Sequence, residues 1–209
     1  MTEQGTAAWK AERAGKATAS KIADIVAKTK SGWSSSRANY MAQLVAERLT
    51  GQPSEGFTNA AMQHGTATEP EARDAYAFAT DAEVTQTGFV PHPCIEWSGA
   101  SPDGLVGDDG LIEIKCPNTA THIETLLGGS IDRKYLLQMQ WQMACTGRKW
   151  CDFASYDNRL PGSMALFIKR VNRDDVLIAE LERDVREFLS EVADQVASLQ
   201  SKYELKEAA

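Results

Sequence analysis

Two stretches near the middle of the chain combine residue types that could hydrolyse a phosphodiester. Residues 101–105 read Ser-Pro-Asp-Gly-Leu, which puts Asp103 at a turn, and residues 111–117 read Leu-Ile-Glu-Ile-Lys-Cys-Pro. Carboxylate oxygens are hard ligands that suit Mg²⁺. A lysine beside two carboxylates can orient or activate a water molecule and balance charge in the transition state. The residue types therefore indicate a metal-assisted hydrolytic site at Asp103, Glu113 and Lys115.

The second stretch predicts a β-strand whose two faces differ. Because successive side chains of a strand point to opposite faces, Leu111, Glu113 and Lys115 share one face, and Ile112 and Ile114 share the other. An ordinary surface hairpin accounts for the same residues, since Pro-Asp-Gly is a common turn and Glu-x-Lys a common charge pair. The rest of the chain has to decide between the two interpretations.

Charge is distributed unevenly along the 209 residues, which carry a net charge of −7. Residues 1–50 hold eight Lys and Arg against four Asp and Glu, so they carry +4 and the remainder carries −11. A basic front on an acidic body suits local contact with nucleic acid, although a solvated basic surface has the same composition. The length fits one domain with a substantial core.

Neither a membrane span nor a secretion signal is visible. No apolar run approaches the roughly 20 residues that a spanning helix needs. The N-terminus lacks the basic start and the apolar core of a signal peptide. We therefore expect an intracellular protein with no membrane contact.

The cysteines have none of the spacings typical of zinc or iron–sulfur sites. They are predicted to be reduced and mostly buried thiols; they lie at Cys94, Cys116, Cys145 and Cys151.

Apolar periodicity predicts helices in the first part of the chain, over residues 18–28, 35–49 and 59–79. The third helix would start at Thr58 or Asn59 and contains Gly65 and Pro70, which are costly inside a helix. Glu69 lies between them, and on this pattern alone it reads as surface charge.

Strands are predicted next, over 83–90, 95–100 and 111–115, as an antiparallel meander with Asp103 and Glu113 at adjacent strand ends. Two helices, two strands and a long C-terminal helix complete the prediction, over 119–127, 134–146, 149–156, 164–171 and from Arg173 to the end. Gln138 and Gln142 share a face of their helix. The narrow apolar stripe of the last helix suits packing on its own domain or a subunit contact.

The order of these motifs resembles the PD-(D/E)xK nuclease superfamily, and more narrowly the phage lambda exonuclease (YqaJ-like) recombination nucleases. The matching positions run from about residue 9 to 172: Arg13, Thr-Ala-Ser at 18–20, Gly-x-x-x-Glu at 65–69, the stretches 101–105 and 113–117, and Gln-Met-Gln at 138–140. The resemblance implies an α/β (α+β) fold with a central, mixed, twisted β-sheet flanked by helices and a long C-terminal helix. It implies a single nuclease domain over 1–209, made of a helical DNA-end-binding part (1–57), a nuclease core (58–172) and the C-terminal helix (173–209).

The activity that the resemblance implies is that of a Mg²⁺-dependent 5′→3′ exonuclease on double-stranded DNA, with Mn²⁺ able to replace Mg²⁺. Such enzymes prefer 5′-phosphorylated ends, release 5′-mononucleotides and leave a 3′ single strand for a single-strand annealing protein. The resemblance also implies a ring-shaped homotrimer around the DNA, in the cytoplasm of a bacterial or phage-infected cell. Every motif position is filled, so we expect an active enzyme.

Site residues follow by carrying the motif over position by position. Asp103 and Glu113 would ligate Mg²⁺ together with the carbonyl of Ile114, and Glu69 is a further candidate for the metal and the catalytic set. Lys115 would position the attacking water, and Gln138 would orient that water or Lys115.

DNA-binding residues are implied in the same way. Arg13, Ser20 and Ser101 would hold the terminal 5′-phosphate, since the planar fork of arginine suits phosphate. Lys30 would add a DNA contact, and Met62 is a candidate wedge at the point where the strands separate. His64 could be a metal ligand, although a packed or exposed histidine is the preferred interpretation.

Two other classes of function fit the same motifs. An endonuclease of this fold, such as a restriction or junction-cutting enzyme, would carry the same active site and would cut closed circular DNA. A non-catalytic protein that binds DNA ends as a scaffold would keep its function when Lys115 is replaced by alanine.

Overall fold

The computed structural model of the chain describes residues 2–54 and 59–203. Its helices, in chain order, are α1 (Ala7–Arg13), α2 (Ile22–Ile25), α3 (Ser35–Thr50), α4 (Ala60–Thr80), α5 (Thr119–Gly128), α6 (Arg133–Thr146), α7 (Gly162–Ala165) and α8 (Asp175–Tyr203). Its strands are β1 (Ala17–Thr18), β2 (Lys28–Thr29), β3 (Gly32–Trp33), β4 (Val84–Thr85), β5 (Val90–Pro91), β6 (Ser98–Ala100), β7 (Gly104–Val106), β8 (Gly110–Lys115), β9 (Trp150–Tyr156) and β10 (Leu166–Asn172).

A mixed five-stranded sheet in the order β10-β9-β8-β7-β4 forms the centre of the fold. Its middle strand, β8, runs antiparallel to β7 and parallel to β9, with Glu113 opposite Phe153 and Lys115 opposite Ser155. Strands β1, β6 and β5 form a separate three-stranded sheet. The predicted mixed α/β fold, with helices around a central sheet and a long C-terminal helix, is confirmed.

The predicted antiparallel meander is wrong in its first two strands. The stretch 83–90 divides into β4, which pairs with β7, and β5, which pairs with β6 in the other sheet. The N-terminal segment packs between them: Gln4 donates to the Thr87 carbonyl at 2.9 Å. A Cβ on Gly88 would lie 2.4 Å from the Thr2 carbonyl oxygen. This long-range packing interrupts what reads locally as one strand.

The first predicted helix, over 18–28, is also wrong in its extent. Thr18 belongs to β1, a single 3₁₀ turn follows at Ala19–Lys21, and only Ile22–Ile25 is α-helical. The amide of Ala17 donates to the Trp97 carbonyl at 2.8 Å, so β1 is held in a parallel pair with β6. Tertiary pairing therefore outweighs the local preference for a helix.

The other predicted helices begin and end close to their predicted bounds, because their caps are encoded locally, whereas α1 and α7 were not predicted. Ser34 caps the start of α3, and Gly51, with a φ of 67°, ends it. Asn59 caps α4, which continues through Pro70 to Thr80. The alternative start, Thr58, lies outside the described residues, as do the last six positions of the predicted C-terminal helix.

Both faces of β8 are covered, and the predicted alternation is confirmed. Leu111 packs with Met139 and Met143 of α6. Ile112 and Ile114 belong to a cluster with residues of α4, on the opposite face. The face that carries Glu113 is therefore buried under α6 and is not a solvent-facing surface.

Helix α8 packs on its own chain, against α3, α2 and α6. Its buried residues run from Ile178 to Val192, whereas Leu199 and Tyr203 are exposed. The four cysteines are free, and all but Cys94 are partly or fully buried, as predicted. Within the described ranges, no helix has the length and hydropathy needed to cross a bilayer.

Candidate active site

Asp103 lies in the turn between β6 and β7 and is tied to the central strand. Its Oδ2 accepts a hydrogen bond from the amide of Ile114 at 2.7 Å. Gly104 allows this approach, because a Cβ there would lie 2.4 Å from Val84 Cγ1 and 3.0 Å from Ile112 Cγ2. The turn therefore holds the aspartate beside the end of β8.

Glu113 is fully buried, and both of its oxygens accept hydrogen bonds. Gln138 donates to Oε1 at 2.7 Å, Gln142 donates to Oε2 at 2.5 Å, and Lys115 pairs with Oε1. The two glutamines lie one helical turn apart on α6, so a single helix face sets the orientation of the carboxylate. Gln138 thus contacts Glu113, whereas the sequence suggested that it orients the attacking water or Lys115.

Gln142 is a site residue that sequence reasoning missed. Its spacing from Gln138 placed the two on one face, and that spacing was the available signal. Only the burial of Glu113 beneath α6 shows what this face contacts.

Lys115 is an ammonium donor at the mouth of the site. Burial alone would lower the pKa of Lys115, but the carboxylates of Glu113 and Asp103 outweigh burial and raise it. Its Nζ also lies 5.2 Å from the centre of the Tyr135 ring. A lysine held in its charged form can donate to a water molecule or a phosphate oxygen, but it cannot act as the base.

The carboxylates carry more negative charge than Lys115 offsets. The pKa of Asp103 is raised well above its usual value, first by burial and then by the nearby charge of Glu113. The described residues contain no group of three His, Cys, Asp or Glu side chains placed to hold a metal ion. Mg²⁺ commonly binds one or two carboxylates and completes its shell with water and substrate phosphate. Asp103, Glu113 and a main-chain carbonyl fit that kind of site.

One pocket brings most of the predicted site residues together. Asp103, Glu113, Lys115 and Gln138 line it together with Arg13, Ser20 and Ser101, and with Gln4 and Trp9, which the sequence did not suggest. The predicted hydrolytic residues and the predicted phosphate ligands therefore share a single opening, although they come from distant parts of the chain.

The N-terminal segment builds the end of this pocket at which the predicted phosphate ligands lie. Trp9 Nε1 donates to Ser101 Oγ at 3.0 Å, and the guanidinium of Arg13 stacks over the Trp9 ring at 3.8 Å. Gln4 donates to the Pro102 carbonyl at 2.8 Å. The hydrogen bonds from Trp9 to Ser101 and from Gln4 to Pro102 span 92 and 98 positions of sequence, so no local pattern could have indicated them.

Arg13 is a cation without an acceptor. Burial lowers the pKa of Arg13, against the opposing effects of Tyr40 and Glu47, but a guanidinium stays charged in proteins. Within the described ranges its side chain makes no hydrogen bond or ion pair, and its buried Nε has no partner. A bound anion would satisfy these donors.

Glu69 and Met62 line a neighbouring pocket that shares Lys115 with the first. Glu69 pairs with Arg73 at 2.5 Å, and burial, together with the charge of Glu113, raises the pKa of Glu69. Met62 is 53% exposed, as a wedge would have to be.

Two predicted residues are not brought to these pockets. Lys30 is exposed in the loop between β2 and β3. His64 hydrogen bonds Thr68, with 3.3 Å between Nδ1 and Oγ1. Neither side chain is among the described residues that line the two pockets.

Residues 8–149 match the YqaJ-like viral recombinase domain. No curated protein gives a significant match. An alkaline exonuclease (LHK-Exo) from Laribacter hongkongensis is 52% identical, with a TM-score of 0.90 and coverage of 98% of this chain and 100% of that one. The structure of LHK-Exo in complex with dAMP gives the same values.

A more distant structure shares the fold. The phage related exonuclease from Haemophilus somnus 129PT is 16% identical, with a TM-score of 0.68 over 88% of this chain and 95% of that one. The family match and the identity to an alkaline exonuclease support a nuclease, in agreement with the motifs at Asp103 and Glu113. This chain belongs to the YqaJ-like viral recombinase family.

Proposed function

We propose that this protein is a divalent-metal-dependent 5′→3′ exonuclease that degrades one strand of double-stranded DNA from a 5′-phosphorylated end. The observation that carries the proposal is the pocket in which Asp103, Glu113 and Lys115 face Arg13, Ser20 and Ser101. One end has the residues to hydrolyse a phosphodiester. The other has two hydroxyl groups and an arginine whose side chain has no acceptor among the described residues. The 52% identity to an alkaline exonuclease supports the same class of reaction.

Asp103, Glu113 and the carbonyl of Ile114 would hold Mg²⁺, or Mn²⁺ in its place, with Glu69 as a further candidate across Lys115. A bound divalent cation would offset charge on the scissile phosphate and lower the pKa of water. Lys115 donates to the attacking water or to a phosphate oxygen. Gln138 and Gln142 keep the Glu113 carboxylate in place.

End recognition follows from the other half of the pocket. Arg13, Ser20 and Ser101 would bind the terminal 5′-phosphate, which places the next linkage of the strand at the carboxylates. Water adds to the phosphorus, the bond from phosphorus to O3′ breaks, and O3′ takes a proton. The released product is then a 5′-mononucleotide, the class of molecule to which the dAMP bound by LHK-Exo belongs.

The wider role that we propose comes from the family resemblance. Digestion would leave a 3′ single strand for a single-strand annealing protein. A ring of three identical subunits around the DNA would make processivity topological, so an acidic protein would not need to grip DNA tightly.

The test uses linear duplex DNA with one 5′ end phosphorylated and the other blocked, in Mg²⁺ and in chelator. We expect loss of one strand from the phosphorylated end, and only with metal. Cuts within the duplex or in closed circles would instead indicate an endonuclease, and end binding without cleavage would indicate a scaffold.

Arg13→Ala provides the matched variant for end recognition. We expect it to erase the preference for a 5′-phosphate over a 5′-hydroxyl end. Equal slowing on both ends would show that Arg13 does not read the phosphate.

A further inference from the structure

A second cavity lies on the other side of Arg13 from the catalytic carboxylates. It shares Arg13, Thr18 and Ser20 with the active-site pocket and continues along α1 and α3. Thr18 and Ser20 are close to each other, with 3.5 Å between their hydroxyl oxygens. Arg13 therefore lines both openings.

This second cavity is basic. Lys10, Lys16 and Lys21 line it together with Arg13, and Glu47 is the carboxylate among the described lining residues. An anion in the cavity would thus meet several cations on a chain whose net charge is −7.

Glu47 is occupied by structural hydrogen bonds. Its Oε2 accepts from the amide of Gly15 at 2.6 Å, and its Oε1 accepts from Gln43 at 2.8 Å and from the amide of Ser54 at 3.1 Å. The residue Glu47 is only 6% exposed. Its hydrogen bonds connect α3 to the neighbouring loops. It forms no ion pair with the lysines of the cavity in the described part of the chain.

Two of the cations have no acceptor among the residues that the structure describes. Lys21 pairs with Asp24 at 2.9 Å, and Lys16 donates to the Glu12 carbonyl at 2.6 Å. The side chains of Lys10 and Arg13, by contrast, have no hydrogen bond or ion pair to any described residue. They lie three positions apart on α1 and so project from the same side of the helix.

We propose that this cavity is a second phosphate subsite, which binds a phosphate lying on the 5′ side of the one held by Arg13, Ser20 and Ser101. The inference rests on the proposed function. Such a phosphate can belong to a 5′-triphosphate end or to an additional nucleotide of the same strand. The two terminal nitrogens of a guanidinium carry four N–H donors, which allows Arg13 to contact both phosphates.

The chemistry at the carboxylates is the same for either source. Water adds to the scissile phosphorus, the bond to O3′ breaks, and O3′ takes a proton. The released fragment carries the additional phosphate, so a 5′-triphosphate end yields a nucleoside triphosphate. An end that extends by one nucleotide into the second subsite yields a dinucleotide.

The test compares three linear duplexes that differ only at one 5′ end, with products identified by mass. The ends are a monophosphate, a triphosphate, and a monophosphate whose first linkage is a phosphorothioate that resists hydrolysis. Release of a nucleoside triphosphate identifies a polyphosphate ligand, release of a dinucleotide identifies the strand itself, and either supports the subsite. If only the monophosphate end is digested, the subsite is refuted while the proposed function stands.

If no end is digested, a binding measurement tests the second phosphate subsite independently of the proposed exonuclease function. Inorganic tripolyphosphate and inorganic phosphate are titrated into the full chain in chelator by calorimetry. We expect tripolyphosphate to bind about tenfold more tightly, the effect of one added charge-assisted contact. Equal affinities would overturn the subsite whatever the result with DNA.

Lys10→Ala and Lys149→Ala are the matched variants. Lys149 is an exposed lysine that pairs with Asp109 and does not line the cavity. We expect Lys10→Ala to lose the preference for tripolyphosphate over phosphate, Lys10→Arg to restore it, and Lys149→Ala to keep it. An unchanged preference in Lys10→Ala would contradict the assignment.

Discussion

At the scale of single residues, the candidate active site depends on the contacts that stabilise the buried charge of Glu113. Two glutamine amides and one ammonium group contact its oxygens, and Asp103 lies beside it on the Ile114 amide. Buried carboxylates are costly without such partners. The partners keep both acids available to a cation, because they hold the oxygens in one orientation.

Asp103→Asn is expected to abolish cleavage and leave the fold intact. The amide oxygen of asparagine can still accept from the Ile114 amide, but the charge that would bind a divalent cation is lost. We expect the rate to fall by about a thousandfold or more, measured on 5′-phosphorylated duplex, with an unchanged thermal unfolding midpoint. Substantial activity in Mg²⁺ would contradict the assignment of Asp103 as a ligand.

Gln142→Leu tests the residue that the structure added to the site. It removes the donor to Glu113 Oε2, so we expect the free energy of unfolding to fall by about 1–3 kcal/mol, the cost of a buried acceptor without a partner. The turnover rate of the folded fraction is expected to fall as well, by about tenfold.

Gln140→Leu is the control on the same helix. Gln140 donates to the Asn172 carbonyl at 2.8 Å and accepts from the Asp174 amide at 2.9 Å, away from Glu113. It should lose stability without losing turnover. If Gln142→Leu and Gln140→Leu had equal turnover rates, Gln142 would not contribute to the active site.

At the scale of elements, α6 and α1 each serve the site and the fold at once. Helix α6 packs Met139 and Met143 against β8 and turns Gln138 and Gln142 to Glu113. Helix α1 has no fully buried residue, yet it carries Arg13 and positions it through Trp9. We therefore infer that the phosphate end of the pocket is held by fewer contacts than the catalytic end.

A histidine that packs against α8, His92, has a lowered pKa in the folded protein. His92 stacks on Trp141 with ring centres 5.0 Å apart, and its Nε2 lies 3.4 Å from Glu182 of α8. Burial lowers the pKa of His92, with Arg186 and Arg173 acting in the same direction and Glu182 opposing them. The unfolded chain therefore binds this proton at a higher pH than the folded chain does.

The stability that His92 contributes is complete above about pH 6.5, the usual histidine pKa, and is lost as the pH falls below it. We expect the wild type to lose more free energy of unfolding than His92→Gln between about pH 7.5 and pH 5.5. Urea unfolding at the two pH values measures the difference. Equal losses would show that His92 is not the group responsible.

At the scale of the whole molecule, charge separation is the feature most relevant to DNA. The first fifty residues carry +4 and the rest carries −11. Of the basic residues in that first part, Lys10, Arg13, Lys16 and Lys21 line the second cavity, and Arg13 also lines the active-site pocket. Under the proposed function, the attraction for DNA would be concentrated where an end enters.

We expect the protein to be a homotrimer in solution, as its family resemblance implies. Light scattering after size-exclusion chromatography should give three times the mass of one chain, over a wide range of concentrations. A monomer would remove the topological explanation for processivity and leave an acidic protein with little means of staying on DNA.

Much of the secondary structure was predictable because it depends on neighbours in sequence. The alternation of Ile112, Glu113 and Ile114 assigned the faces of β8 correctly. The cap at Asn59 marked the start of α4, since a cap bonds an amide only a few positions away. The motifs at 101–105 and 113–117 indicated the chemistry, because residue type alone determines which groups can bind a cation or donate to phosphate.

Only the tertiary structure decided which of these groups meet. The division of residues 83–100 between two sheets, the contact from Trp9 to Ser101 and the burial of Glu113 beneath α6 all join distant segments. Such contacts form where packing and hydrogen bonding of the whole chain are satisfied together, and no local spacing encodes them. For this reason the sequence by itself determined the residue types of the site, whereas the fold determined that Arg13 and Asp103 line one pocket.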